Sequence, residues 1–274
     1  MISDELELAS MFIGYFVPAD PWSCPFRQLG LELRAVQRPF SVSFRGQLRQ
    51  VQPEVVLAKE AVEYSVALEV KSRMVNRDQV GRYAMLDGQV IRRDLAFAPL
   101  ANSQRDVIFF TESANKAALK RNIESALSYH QLQINGHGTF PIVERDDSRV
   151  VLHAGSLSHA DLQITFTLGI EADSTLSAPS HFIRFTADSP IYLLLPDVLN
   201  LVHQNIVRQS TFTTRDVCVG IVSYWDVRGT EEKAAFINKG HAILSKLVRE
   251  DYKSFFSLGN LRKSDSMGCE CKRW

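Results

Sequence analysis

The sequence predicts an α/β protein in which a mixed sheet flanked by helices precedes a smaller, mainly helical domain. Three observations carry that expectation. The chain has 274 residues, beyond the usual size of one domain, so two domains are the natural division. Up to about residue 155, short extended runs interleave with amphipathic ones in the order α-β-β-β-α-β-α-β. From Pro196 onward the apolar spacing becomes helical.

Element by element, Ser3 caps a first helix, with Asp4 and Glu5 near its positive end and Leu6, Ala9, Phe12, Ile13 and Phe16 as its apolar stripe. Pro18 and Pro21 end it. Leu31 to Phe44 alternates apolar and polar residues, Gly46 marks a turn, Gln50 to Leu57 continues as strand, and Tyr64 to Lys71 completes an antiparallel run. A short helix follows over about Arg77 to Leu86. Val107 to Phe110 is a compact buried-type strand, and Ser113 caps a helix carrying Ala117, Leu119, Ile123, Leu127 and Tyr129. Ile142–Val143 and Val150–Leu152 supply further strand. Residues 156–190 read as connector or subdomain, with Leu162 to Leu168 and Phe182 to Phe185 as candidate strands. Residues 191–260 form the helical, winged-helix-like part: Leu199, Val202, Ile206 and Val207 mark one helix, Thr213 to Tyr224 a second, and Glu231 to Leu258 a third or a broken pair. The polar tail 261–274 reads as disordered.

Bulk properties bound the function. Thirty-one basic and thirty-one acidic residues cancel, so the chain as a whole does not grip nucleic acid by charge, and any such contact is local or shared with a partner. Cys24, Cys218, Cys269 and Cys271 are too unevenly spaced for a disulfide framework or a paired zinc knuckle, which points to a reducing, cytoplasmic setting. The acidic N-terminus broken by prolines is unlike a secretory signal, and no run approaches the roughly 20 apolar residues of a membrane span. Soluble, with no membrane partner, is the expectation.

The chemistry concentrates between Pro53 and Tyr83. Pro53-Glu54-Val-Val-Leu is followed by Val66-Ala-Leu-Glu69-Val70-Lys71, then by Gln79-Val-Gly-Arg-Tyr83. In a strand, Glu69 and Lys71 share one face while Val70 points to the other, and on a helix Gln79 and Tyr83 are four apart on one face. The Glu-x-Lys triplet alone selects nothing, since Glu231-Glu-Lys233 and Glu270-Cys-Lys272 repeat it in polar surroundings. The apolar strand around Glu69 distinguishes it.

These segments resemble the metal-dependent nuclease core of the PD-(D/E)xK, or restriction-endonuclease-like, superfamily, in the subset that carries a Q-x-x-x-Y element. The resemblance covers residues 1–155 and implies a nuclease-like domain there. It implies that Glu54, Glu69 and the Val70 carbonyl hold Mg²⁺ or Mn²⁺, with an acidic residue of the first helix as a further ligand, Glu5 rather than Glu7 because it lies nearer the apolar stripe. Lys71 would position or deprotonate the attacking water, and Gln79 and Tyr83 would orient the site or touch the DNA strand. Family members often have Asp where this chain has Glu54. The implied activity is DNA phosphodiester hydrolysis within a larger complex, with a protein partner or a homodimer, in transposition, recombination, repair or defence. A non-catalytic DNA- or protein-binding subunit that keeps the fold is the alternative, and nothing in these residues separates DNA from RNA.

Other signals are weaker. His130 and His137 flank a loop and read as surface residues, Cys269-Glu-Cys271 as a mobile thiol pair, and no serine-hydrolase or phosphate-cradling loop is present. Arg208, Arg215, Arg228, Lys233, Lys239, Lys246, Arg249 and Lys253 recur along the C-terminal helices as either a phosphate-facing surface or an ordinary solvated one.

Overall fold

The structure is a computed structural model that describes residues 8, 9, 12, 25–72, 74–134, 136, 138–146, 149–171, 185–208, 212–249, 256–258 and 268–271. The chain divides into two compact units, Met1–Phe182 and Ile183–Trp274.

The first unit is a mixed α/β layer structure. A short helix α1 (Pro25–Gln28) leads into β1 (Glu32–Val36), β2 (Phe40–Phe44), β3 (Gln47–Val51), β4 (Val55–Ala58) and β5 (Tyr64–Val70). Helices α2 (Arg77–Ala84) and α3 (Gly88–Asp94) cross to β6 (Gln104–Glu112), and α4 (Lys116–His130) crosses to β7 (Ile142–Asp146). Then come β8 (Arg149–Ala154), α5 (Ala160–Leu168) and β9 (Ile170–Glu171). Seven strands form one sheet in the order β1-β4-β5-β6-β7-β8-β9. The centre, β5-β6-β7, is parallel and both flanks are antiparallel. Strand β5 is buried along its whole length and β6 from Asp106 to Thr111, as a sheet covered on both faces requires.

One face packs Ala67, Phe109 and Ile142 against Val80, Tyr83, Ile91, Leu119, Ile123 and Leu127 of the crossover helices. On the other face Phe12 lies 5.5 Å from Phe110 and 6.0 Å from Phe26, and Phe26 lies 6.0 Å from Phe166 of α5. Phe12 thus belongs to the core, as the apolar stripe of the first helix predicts.

Several local expectations are corrected. The run Leu31 to Phe44 is two strands, because Gln37 turns left-handed at φ 47° and Pro39 offers no N–H, so β1 joins the large sheet and β2 leaves it. Pro53 likewise splits Gln50 to Leu57 into β3 and β4. Strands β2 and β3 form a separate hairpin whose two-residue turn, Arg45 and Gly46, has φ of 51° and 71°. The helix α3 was not expected, and neither was Asp87 capping it through Val90 N at 2.7 Å. Leu162 to Leu168 is helix and not strand: its β-branched residues favour extension, but Leu162 and Phe166, four apart, are both buried against the sheet. In α4 the N-cap is Asn115 rather than Ser113, and Tyr129 is 60% exposed instead of completing the stripe.

The second unit contains α6 (Ile191–Arg208), β10 (Phe212–Thr213), α7 (Thr214–Ile221), α8 (Thr230–Arg249), β11 (Phe256–Leu258) and β12 (Gly268–Cys271). Its three strands are antiparallel in the order β10-β12-β11, so the stretch expected to be a disordered tail supplies the central strand. Thr213 and Asp216 form a reciprocal capping box on α7. Leu194, Val198, Val202, Val217, Cys218, Phe236 and Leu244 make the core. Two of the basic residues considered for a surface role are used internally: Arg228 is 3% exposed and bonds Glu232, and Lys239 donates to the carbonyls of Ala187 and Ser189. Among the described residues, no helix is long and apolar enough to cross a membrane.

Candidate active site

Of the residues singled out in the sequence, Glu69, Lys71, Gln79 and Tyr83 converge at the carboxyl end of β5. Glu69, 2% exposed, faces the crossover helices alongside Ala67. Its Oε1 accepts from Lys71 Nζ and from Gln79 Nε2, each at 2.8 Å, and its Oε2 accepts from the Tyr83 hydroxyl. Strand periodicity puts Glu69 and Lys71 on one side, and helical periodicity puts Gln79 and Tyr83 opposite them. Asn76 starts α2 by accepting from Asp78 N at 2.8 Å, which fixes the phase of that helix.

Glu54 sits immediately before β4, with its N–H on the Leu68 carbonyl at 2.9 Å, and its Oε2 accepts from Gln37 Nε2 at 2.8 Å. It is near enough that its charge opposes ionisation of both Glu69 and Tyr83. Burial pushes the Glu69 carboxyl up to about 7, Lys71 pulls it down, and Glu54 pushes it up again. Burial, then the Glu69 charge, drives the Tyr83 phenol well above its usual range, so it keeps the hydrogen that it donates. Val70 ends β5 with its side chain fully buried. Glu5 lies outside the described residues.

Two carboxylates beside one another, with a backbone carbonyl between Glu69 and Lys71, are hard oxygen donors of the kind Mg²⁺ takes while keeping several waters. Among the described residues no cluster of three or more His, Cys, Asp or Glu side chains is assembled for a metal.

The polar row continues along the same edge. Thr111 on β6 pairs in register with Glu144 on β7, two residues beyond the core pair Phe109 and Ile142. Lys116, at the start of α4, reaches Glu144 at 2.8 Å, and His153 Nδ1 lies 3.9 Å from it. Burial lowers the His153 pKa. The Thr111 hydroxyl is fully buried with no hydrogen-bond partner among the described residues. Neither this row nor Gln37 was expected from the sequence. The signal for Gln37 was weak: a polar residue just before a basic-proline break, whose left-handed backbone aims its amide at Glu54.

The first unit is thus a mixed α/β protein in which Lys71, Gln79 and Tyr83 engage a buried Glu69 at the end of a central parallel strand. Residues 4–179 match the MJECL32 domain, and the chain belongs to that family. Neither the curated proteins nor the solved structures yielded a match.

Proposed function

We propose that the chain is a Mg²⁺- or Mn²⁺-dependent deoxyribonuclease with a PD-(D/E)xK-like, restriction-endonuclease-like first unit. The observation that carries this reading is the convergence of Lys71, Gln79 and Tyr83 on one buried carboxylate, Glu69, with Glu54 beside it. A divalent cation held by Glu54, Glu69 and the Val70 carbonyl would neutralise charge on the scissile phosphate and activate water. Lys71, with its side chain 14% exposed, presents an ammonium at the mouth of the site, where it holds the attacking water or offsets developing negative charge. Gln79 and Tyr83 fix the rotamer of Glu69.

In the second unit, the order α6-β10-α7-α8-β11-β12 with strand order β10-β12-β11 supports a winged-helix-like module for docking DNA or a protein partner. The zero net charge fits work within a complex or a homodimer, in the cytoplasm, in transposition, recombination, repair or defence.

A second reading, a binding subunit that keeps the fold without the chemistry, is favoured by one observation: Glu69 is already engaged by three donors. Mn²⁺ titration with cleavage of plasmid and linear DNA separates the two. The nuclease reading expects Mn²⁺ binding that Glu69→Ala abolishes, and cleavage that Lys71→Ala lowers by about 10²–10⁴-fold. Equal cleavage by parent and Lys71→Ala under matched salt and metal would refute the assigned mechanism.

A further inference from the structure

The outer side of α2 lines a second feature. While Gln79 and Tyr83 point inward to Glu69, Asp78 and Arg82 point outward into a groove of about 610 Å³ shared with the β2–β3 hairpin. Arg45 and Arg49 line its hairpin side. Phe44, which lines it, is held by close packing: its ring lies edge-on to His130 with centroids 5.3 Å apart, and both press on Gly81. His130, expected at the surface, has a side chain only 3% exposed.

Charge and aromatic character combine here. The guanidinium groups of Arg45 and Arg77 lie 5.8 and 5.3 Å from the centroid of the exposed Tyr129 ring. Asp78 is the carboxylate lining the groove, and it is 3.6 Å from Arg45. Three arginines, Arg45, Arg49 and Arg82, against one aspartate make the groove a local basic patch on a chain with no net charge. Guanidinium forks match phosphate oxygens bidentately, and an exposed tyrosine is a surface on which a base can stack.

We infer that this groove binds the sugar–phosphate backbone of DNA and guides the strand to the Glu69 site on the opposite side of α2. This rests on the phosphodiester reading of that site. A protein or peptide ligand would lack the regular phosphates that several guanidinium forks can grip at once.

The test is binding of fluorescently labelled single-stranded and duplex DNA to the full chain without divalent metal, across a salt series. Arg45→Ala/Arg49→Ala is compared with Arg49→Ala alone and with Arg149→Ala, an exposed arginine on β8, all checked by thermal melting. The double variant is expected to bind about tenfold more weakly near 0.1 M salt and to lose about two from the log–log salt slope, with a smaller loss for Arg49→Ala and none for Arg149→Ala. Parent-like binding by both groove variants would overturn the inference. So would poly-glutamate competing as well as DNA at equal charge, since the groove would then read charge and not nucleic acid. Arginine-dependent binding without metal-dependent cleavage leaves the groove standing and removes the nuclease reading. Cleavage with arginine-independent binding does the reverse.

Discussion

Tyr83 donates its phenolic hydrogen to Oε2 of Glu69, and both side chains are nearly or fully buried, at 0% and 2% exposure. A charged acceptor in a dry surrounding makes this bond worth more than a neutral one in water. Its geometry comes from two periodicities meeting, one residue from a strand and one from a helix. Replacing Tyr83 by Phe leaves the ring's contact with Phe109, whose centroid is 5.8 Å away, and strips one donor from Glu69. Tyr83→Phe is expected to destabilise the fold by about 1–3 kcal/mol in urea unfolding, more at pH 8 than at pH 5, because the lost bond favours the ionised carboxylate. Equal losses at both values would mean that the bond does not stabilise the charge.

The raised Glu69 pKa makes stability depend on pH in a definite direction. Its carboxyl titrates near 4.5 when unfolded and at about 7 when folded. Between those values the native state holds the extra proton, so this contribution is fully present below pH 4.5, falls as pH rises, and is lost above about 7. The amplitude is on the order of 3 kcal/mol. Glu69→Gln, which cannot ionise, should flatten the unfolding free energy across that window while leaving the rest of the pH curve intact. Parallel curves for the variant and the parent would show that Glu69 does not titrate there.

Local periods, two in a strand and four in a helix, made Glu69 with Lys71 and Gln79 with Tyr83 legible as pairs, while the meeting of the two pairs was only implied by the family resemblance. The division into α and β was legible for the same reason. The hairpin was not: alternation from Leu31 to Phe44 looks the same whether β1 and β2 share a sheet or part at Gln37. The helix α5 was hidden by its β-branched residues, because only burial against the sheet makes Leu162 and Phe166 a helical pair. The row from Thr111 through Glu144 to Lys116 depends on the register of β6 against β7, which is tertiary and leaves no mark in either strand.

Thr111 gives a test of that register. Its hydroxyl is buried without a partner among the described residues, a cost that the isosteric valine removes. Thr111→Val is expected to raise stability by about 1 kcal/mol in urea unfolding. If the hydroxyl serves a ligand at the edge of the site, the same variant loses DNA cleavage while gaining stability. A variant less stable than the parent would mean that the hydroxyl has a partner.

Gly81 presents the opposite balance. Alanine in mid-helix is ordinarily better than glycine by about 1 kcal/mol, so a glycine in the second turn of α2 calls for a steric reason. A Cβ there would sit 2.7 Å from the Phe44 ring and 2.9 Å from His130, distances that real Cβ contacts do not show. The hairpin can approach α2 this closely only over a bare Cα. Gly81→Ala is therefore expected to destabilise by about 1–3 kcal/mol, overpacking outweighing the helical gain. In the Phe44→Leu background the clash is relieved, and the same substitution should cost less or stabilise, a coupling of about 1 kcal/mol or more in a double-mutant cycle. Additive effects would place the hairpin farther from the helix than the present packing requires.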